Sequence, residues 1–168
     1  HPNHPSLNSL MNRLNYMARV EGSNLPEYLF IANGVHDEGG NYVHINLPIS
    51  IIGESREHCI VIGGLRMTGK KKDDVNVSNL TLRESKGNGV SGFNGASMHL
   101  DNVSFENSEG CGVFVSGTKR NSMKNCNVSH SKESGLAVGN GGLVTIDGNG
   151  TTIHHNVSDQ GGDSSSYY

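Results

Sequence analysis

The chain has 168 residues, the size of one domain. Glycine supplies 23 of them and hydrophobic residues only 33%, a balance that reads as disorder unless an ordered repeat overrides it. The net charge of −3, with no basic run beyond Lys70-Lys71-Lys72 and with Asp73 and Asp74 directly after it, argues against a nucleic-acid partner. No stretch is long enough to span a membrane.

In chain order, residues 1–5 are a polar lead with two prolines. Ser6 then precedes Leu7, Leu10, Met11, Leu14 and Met17, whose spacing marks one apolar face of a helix with a serine N-cap. Gly22 ends it. Residues 1–26 are thus expected to form a lead and a helix that covers the open end of whatever follows. Tyr28 to Ile31 reads as a first strand, Asn33-Gly34 as a turn, and Tyr42 to Ile45, Ile49 to Ile52, Cys59 to Ile62 and Leu65 to Met67 as further strands.

From residue 75 one pattern recurs three times: Val75 to Leu82, Met98 to Phe105, and Met123 to His130, with starts 23 and 25 residues apart. A period of this size means stacked supersecondary units. Val75 and Val77 alternate with polar residues, Asn79 interrupts, and Leu80 and Leu82 resume the alternation. After a polar turn a glycine opens a third strand, at Gly89-Val90, Gly112-Val113 and Gly135-Leu136. Asn79, Asn102 and Asn127 share one position in this alignment, so the expectation is a ladder of side-chain amides bonded along the stack. Val144 to Ile146 starts a last coil, in which Asp147-Gly-Asn-Gly150 replaces the asparagine bend.

Strand, asparagine bend, strand, long turn and glycine-led strand together resemble the right-handed parallel β-helices of the pectin-lyase-like superfamily. The closest likeness is to the CASH repeats of carbohydrate-binding and sugar-hydrolase proteins and to F-box-linked β-helix repeats. The resemblance implies an all-β fold: a short right-handed parallel β-helix of three-strand coils over residues 27–158, with an N-terminal capping α-helix. A narrow β-helix has a thin core and many turns, which accounts for the glycine content. Residues 159–168, rich in Gly and Ser, read as a tail or linker. No C-terminal cap is evident, so that end is expected to stack on further coils or on another chain. The start at His1 rather than Met points to a piece of a longer protein.

The resemblance implies that enzymes on this fold act on acidic polysaccharides, from the outer face of the glycine-led strand and its flanking turns. That face should present Ser91, Phe114 and Ala137, with Val90, Val113, Val115, Leu136 and Val138 turned inward. None of the three outward residues transfers a proton near neutral pH. The paired Asp-Asp with Gly-His-Gly of polygalacturonases, the Asp-Pro-His-Asp of alginate epimerases and the Arg-x-Pro-x-x-Arg of pectate lyases are all missing. Asp101, Glu106 and Glu109 remain as reserve catalytic candidates. His130 falls at an inward position, and the neighbours His154 and His155 are expected to point to opposite faces of a strand, which speaks against joint metal ligation. Cys59, Cys111 and Cys126 match no zinc spacing and are expected to be free thiols. Six Asn-x-Ser/Thr sequons read mostly as by-products of the repeat.

The reading is therefore a non-enzymatic β-helix module, a rigid platform for a glycan or protein partner or for assembly, needing no cofactor or metal. Phe114 is its proposed stacking surface. A divergent or truncated lyase, hydrolase or epimerase is the alternative.

Overall fold

The structure, a computed structural model, describes residues 6–70 and 73–157. The lead at 1–5, Lys71, Lys72 and the expected tail at 159–168 lie outside these. A helix, α1 (Leu7–Met17), precedes β1 (Tyr28–Ile31), β2 (Gly34–Ile45), β3 (Ile49–Gly53), β4 (Cys59–Met67), β5 (Asp74–Arg83), β6 (Val90–Phe93) and β7 (Ser97–Glu106). There follow β8 (Val113–Ser116), β9 (Asn121–Lys124), β10 (Asn127–Ser129), β11 (Leu136–Gly139), β12 (Val144–Asp147) and β13 (Thr152–His154).

Every pairing among these strands is parallel, and each joins one coil to the next. The chain winds as a parallel β-helix of about five coils with three faces. The first face stacks β1, β3, the start of β5, the start of β7, β9 and β12. The second stacks the start of β2, the start of β4, the ends of β5 and β7, β10 and β13. The third stacks the ends of β2 and β4, then β6, β8 and β11. Each coil adds ~4.8 Å to the rod.

Alternation decides what fills the interior. Inward columns run Ile51, Val77, Leu100, Met123 on the first face and Val61, Leu82, Phe105, Val128 on the second, all buried. On the third face Val43, Leu65, Val90 and Val113 are buried, as the glycine-led strand predicts. Each face contributes only two such columns, Val75 beside Val77 and Leu80 beside Leu82 for example, which is why so few hydrophobic residues suffice.

Three left-handed corners close each coil. The first corner is Asn79, Asn102 and Asn125, with φ of 57°, 56° and 52°. The second is Glu84, Asn107, His130 and His155, with φ of 55°, 56°, 57° and 53°. The third is Asn94, Gly117 and Asn140, at 60°, 74° and 51°. Asparagine and, to a lesser degree, histidine enter this region at lower cost than other side chains. One coil earlier, Gly53 lies so close to the next turn that a Cβ would sit 2.2 Å from the Asn79 carbonyl oxygen.

The register corrects the expected ladder. Leu100 pairs with Met123 and Asp101 with Lys124, so the asparagine above Asn102 is Asn125, and the repeat keeps a 23-residue spacing. Asn127 instead lies opposite Ser104, within β10. Asn102 Nδ2 donates to Asn79 Oδ1 at 3.0 Å, while the Asn125 amide turns to Asp101 Oδ1 at 3.4 Å. The three-residue ladder of Asn79, Asn102 and Asn127 is thus reduced to one bonded pair. A slip of two residues keeps every side chain on its own side of the sheet, so in–out alternation does not reveal it. The true start of the third copy is Asn121, a buried amide at an inward position. Its Oδ1 accepts from Met98 N, and its Nδ2 donates to the carbonyls of Thr118 and Leu143.

The same correction moves His130. It follows Ser129, which pairs with Glu106, so Val128 takes the inward place opposite Phe105 and His130 becomes an exposed corner residue.

The helix covers the first coil. Leu7, Met11 and Leu14 are buried in the core, Ser6 Oγ accepts from Ser9 N, and Glu38 accepts from Leu7 N at 2.7 Å and Asn8 N at 3.3 Å. A carboxylate at a helix N-terminus meets the partial positive charge there. Asn15 does what another strand would do: its Nδ2 donates to the His44 carbonyl at 2.7 Å and its Oδ1 accepts from Asn46 N at 2.9 Å.

Two outcomes are expected. Asn102→Ala removes the amide pair and places alanine at a positive φ. It should cost about 1–3 kcal/mol in urea unfolding, against under about 1 kcal/mol for Asn127→Ala. Leu14→Ala should cost about 2–5 kcal/mol by opening a cavity beneath the cap. An unchanged melting curve for Leu14→Ala would mean that α1 does not cover the core.

Candidate functional site

The outer side of the third face carries the best-organised surface. His44, Arg66, Ser91, Phe114 and Ala137 follow one another up the stack in register. Two residues along β6, Phe93 faces the same way. Its ring meets Phe114 with centroids 5.4 Å apart and planes tilted by 43°. The Arg66 guanidinium lies 4.9 Å from the Phe93 centroid and 6.0 Å from that of Tyr42. Tyr42 is fixed in turn, because its hydroxyl accepts from Asn88 N at 2.6 Å. The result is a strip of Tyr42, Arg66, Phe93 and Phe114 spanning four coils, held by cation–π and ring contacts.

Of the three residues expected here, Phe114 and Ala137 are partly exposed. Ser91 is covered, at 1% exposure, and its hydroxyl accepts from Asn88 Nδ2 at 2.9 Å. Arg66, Phe93 and Tyr42 were not singled out from the sequence. The signal was there: following the alternation from Ser91 leads to Phe93, and following the register one coil down leads to Arg66.

The reserve carboxylates stand apart from this strip. Asp101 is exposed on the first face, with Lys124 beside it in the next coil and Asp147 beyond. Glu106 ends β7 on the second face, where Arg83 grips one oxygen through Nε and Nη2, both at 2.9 Å. Glu109 lies in the turn after β7 and pairs with Lys132 at 3.1 Å, both side chains being largely solvent-exposed. Ion pairs with this much exposure contribute about 0–1 kcal/mol.

At the far end of the second face the histidines meet. His155 takes a left-handed corner conformation, so its ring does not leave the strand opposite to that of His154. The two Nδ1 atoms are 2.6 Å apart. The His130 ring stacks on His155 with centroids 5.4 Å apart and planes within 5°. The expected divergence of His154 and His155 is overturned by the single φ of 53°. Among the described residues no group of three or more His, Cys, Asp or Glu could hold a metal ion.

All three cysteines are free and buried. Burial, and next the Glu133 carboxylate that accepts from Sγ at 3.4 Å, push the Cys111 thiol up to about 11. Burial raises Cys59 and Cys126 as well.

The chain matches the family described as "right handed beta helix region" over residues 63–165, more than half its length. It belongs to that family, and the coils are right-handed. No curated protein and no solved structure matches it significantly. Among the described residues no helix is long and apolar enough to cross a membrane.

A thiol that ionises near 11 is almost wholly protonated at pH 8. Iodoacetamide should therefore alkylate Cys111 about a hundred-fold more slowly than an unperturbed cysteine at that pH, with the rate climbing through pH 11. Rapid modification in the folded protein at pH 8, followed by peptide mapping, would contradict this placement.

Proposed function

We propose that the protein is a non-enzymatic binding platform whose third-face strip receives a glycan. The observation that carries this reading is the Arg66 guanidinium set between the rings of Phe93 and Tyr42, with Phe114 extending the aromatic surface by one coil. Aromatic faces suit the apolar C–H faces of sugar rings. A guanidinium in a fixed plane suits a carboxylate or a pair of hydroxyls by two parallel hydrogen bonds. The combination favours an acidic oligosaccharide over a neutral one. The rigidity of stacked coils supports the reading too, because the side chains are pre-positioned and little freedom is lost on binding.

Titration with a panel of acidic and neutral oligosaccharides tests this. Phe114→Ala and Arg66→Ala should each weaken binding of the acidic ligands about ten-fold or more, a loss of roughly 1.4 kcal/mol, with melting unchanged. Binding that ignores both substitutions removes the strip from consideration. The enzyme reading makes a different forecast: unsaturated products or new reducing ends, lost on changing Asp101, Glu106 or Glu109.

A further inference from the structure

Asn15 closes the edge of the first coil at β2, where it bonds to the His44 carbonyl and to Asn46 N. Among the described residues nothing does the same for β1, and the third-face strip makes no use of it. β1 pairs with β3 along one side only. Residues of odd number serve that side. The Glu27 carbonyl, just before the strand, accepts from Ser50 N at 2.9 Å, and the Ile31 carbonyl accepts from Glu54 N at 2.9 Å. Backbone groups of successive residues point to opposite sides of a strand, so the N–H and C=O of Tyr28 and Phe30 point to the open edge. We propose that β1 is a docking edge for an extended segment of a protein partner. The segment adds to the sheet as one more strand, sets β-branched or aromatic side chains beside Tyr28 and Phe30, and carries a basic residue at each end. In this mode of recognition main-chain hydrogen bonds give affinity and alternate side chains give specificity.

The side chains of β1 support this. Tyr28 and Phe30 are 55% and 73% exposed, and their rings stack with centroids 6.3 Å apart and planes at 23°. Aromatic character on this face is confined to the end of the rod. Up the stack from Phe30 come Ile52 and then Ser78, Asp101 and Lys124. Exposed edge strands are usually blunted by a charge, a proline or a bulge. Tyr28 to Ile31 carries none of these. Charge then chooses the occupant. Glu27 stands exposed at the start of β1, and Glu54 stands exposed at its end, where its carboxylate accepts from Asn33 N at 2.9 Å. Two copies of this edge, paired antiparallel about Leu29, would turn Glu27 of each toward the Ile31 and Glu54 end of the other. Like charges opposed across strands destabilise the pairing. A segment with Lys or Arg at both ends meets the same two carboxylates favourably.

The test is NMR titration of the whole isotope-labelled chain with the peptide acetyl-Lys-Thr-Val-Thr-Val-Thr-Lys-amide. Binding should saturate, shift the amide signals of Tyr28 and Phe30, and slow hydrogen exchange at those two amides. N-methylation of alternate peptide residues should abolish binding in one frame and spare it in the other, because only one set of peptide N–H groups faces β1. Phe30→Ala should weaken binding several-fold with melting unchanged, since the ring is exposed and the bonds to β3 remain. Replacing both peptide lysines by glutamate should also weaken it several-fold, and added salt should narrow that difference. Absence of saturable binding overturns the proposal. So does binding that ignores N-methylation in both frames, or signal changes that fall on β11, β12 and β13 and leave β1 unmoved. A stable dimer of the chain in light scattering, lost in Phe30→Lys, overturns it as well, because a second copy is then the occupant.

Discussion

The constraint on which everything else depends is that each coil must return to the same place after a fixed length of chain. Parallel strands give up their local partners. Their N–H and C=O groups bond only to the coil before and the coil after, so a coil that closes out of step leaves backbone groups unpaired in both directions. Closure is achieved by three sharp corners, and sharp corners demand the left-handed region. Nine non-glycine residues among those described occupy it, six of them asparagine. The abundance of Asn and Gly is therefore a consequence of geometry and not of a need for polarity. It also explains why Glu84 can stand at a corner. Its carboxyl has no packing duty, and the backbone bonds on either side of the corner outweigh a penalty of about 1–2 kcal/mol.

This constraint separates what the sequence reveals from what it conceals. The helix was legible because Leu7, Met11 and Leu14 recur at helical spacing and Ser6 is a strong cap. The inward residues of the third face were legible because glycine announces each strand. The register of the third copy was not. Asn125 and Asn127 are two apart, either fits an alternating pattern, and Met123 resembles Met98 more than Asn121 does. Only the buried amide of Asn121, bonding to two coils at once, shows where the copy begins. His130 was misplaced by the same slip. Ser91 was rightly turned outward, yet the Asn88 side chain that covers it comes from a turn, and turns carry no periodicity from which their reach can be read. His154 and His155 were assigned to opposite faces by strand geometry, which ends one residue too early to apply.

The outward positions are free of these demands, and function has to be sought there. On the first face, beyond Tyr28, Phe30 and Ile52, they are polar: Ser50, Asn76, His99 and Ser122 in one register, with His99 Nδ1 within 2.9 Å of Ser122 Oγ, and Asp101, Lys124 and Asp147 in another. On the third face they are large and chemically varied. Neighbouring coils can place residues from distant parts of the chain about 5 Å apart. Arg66 and Phe93 meet in this way across 27 positions of sequence. A site on such a surface is assembled by the pitch of the rod, so its spacing is as regular as the backbone beneath it.

The two ends of the rod differ in kind. At one end α1 closes the interior, and Asn15 occupies the edge of the first coil. At the other, Leu143, Ile146, Ile153 and Val157 are between 42% and 61% exposed. The strand edges of β11, β12 and β13 face outward beside them. The molecule thus has a direction, as a screw thread has. Among the described residues, a helix lies against the first coil, whereas strand edges and apolar side chains lie together at the last.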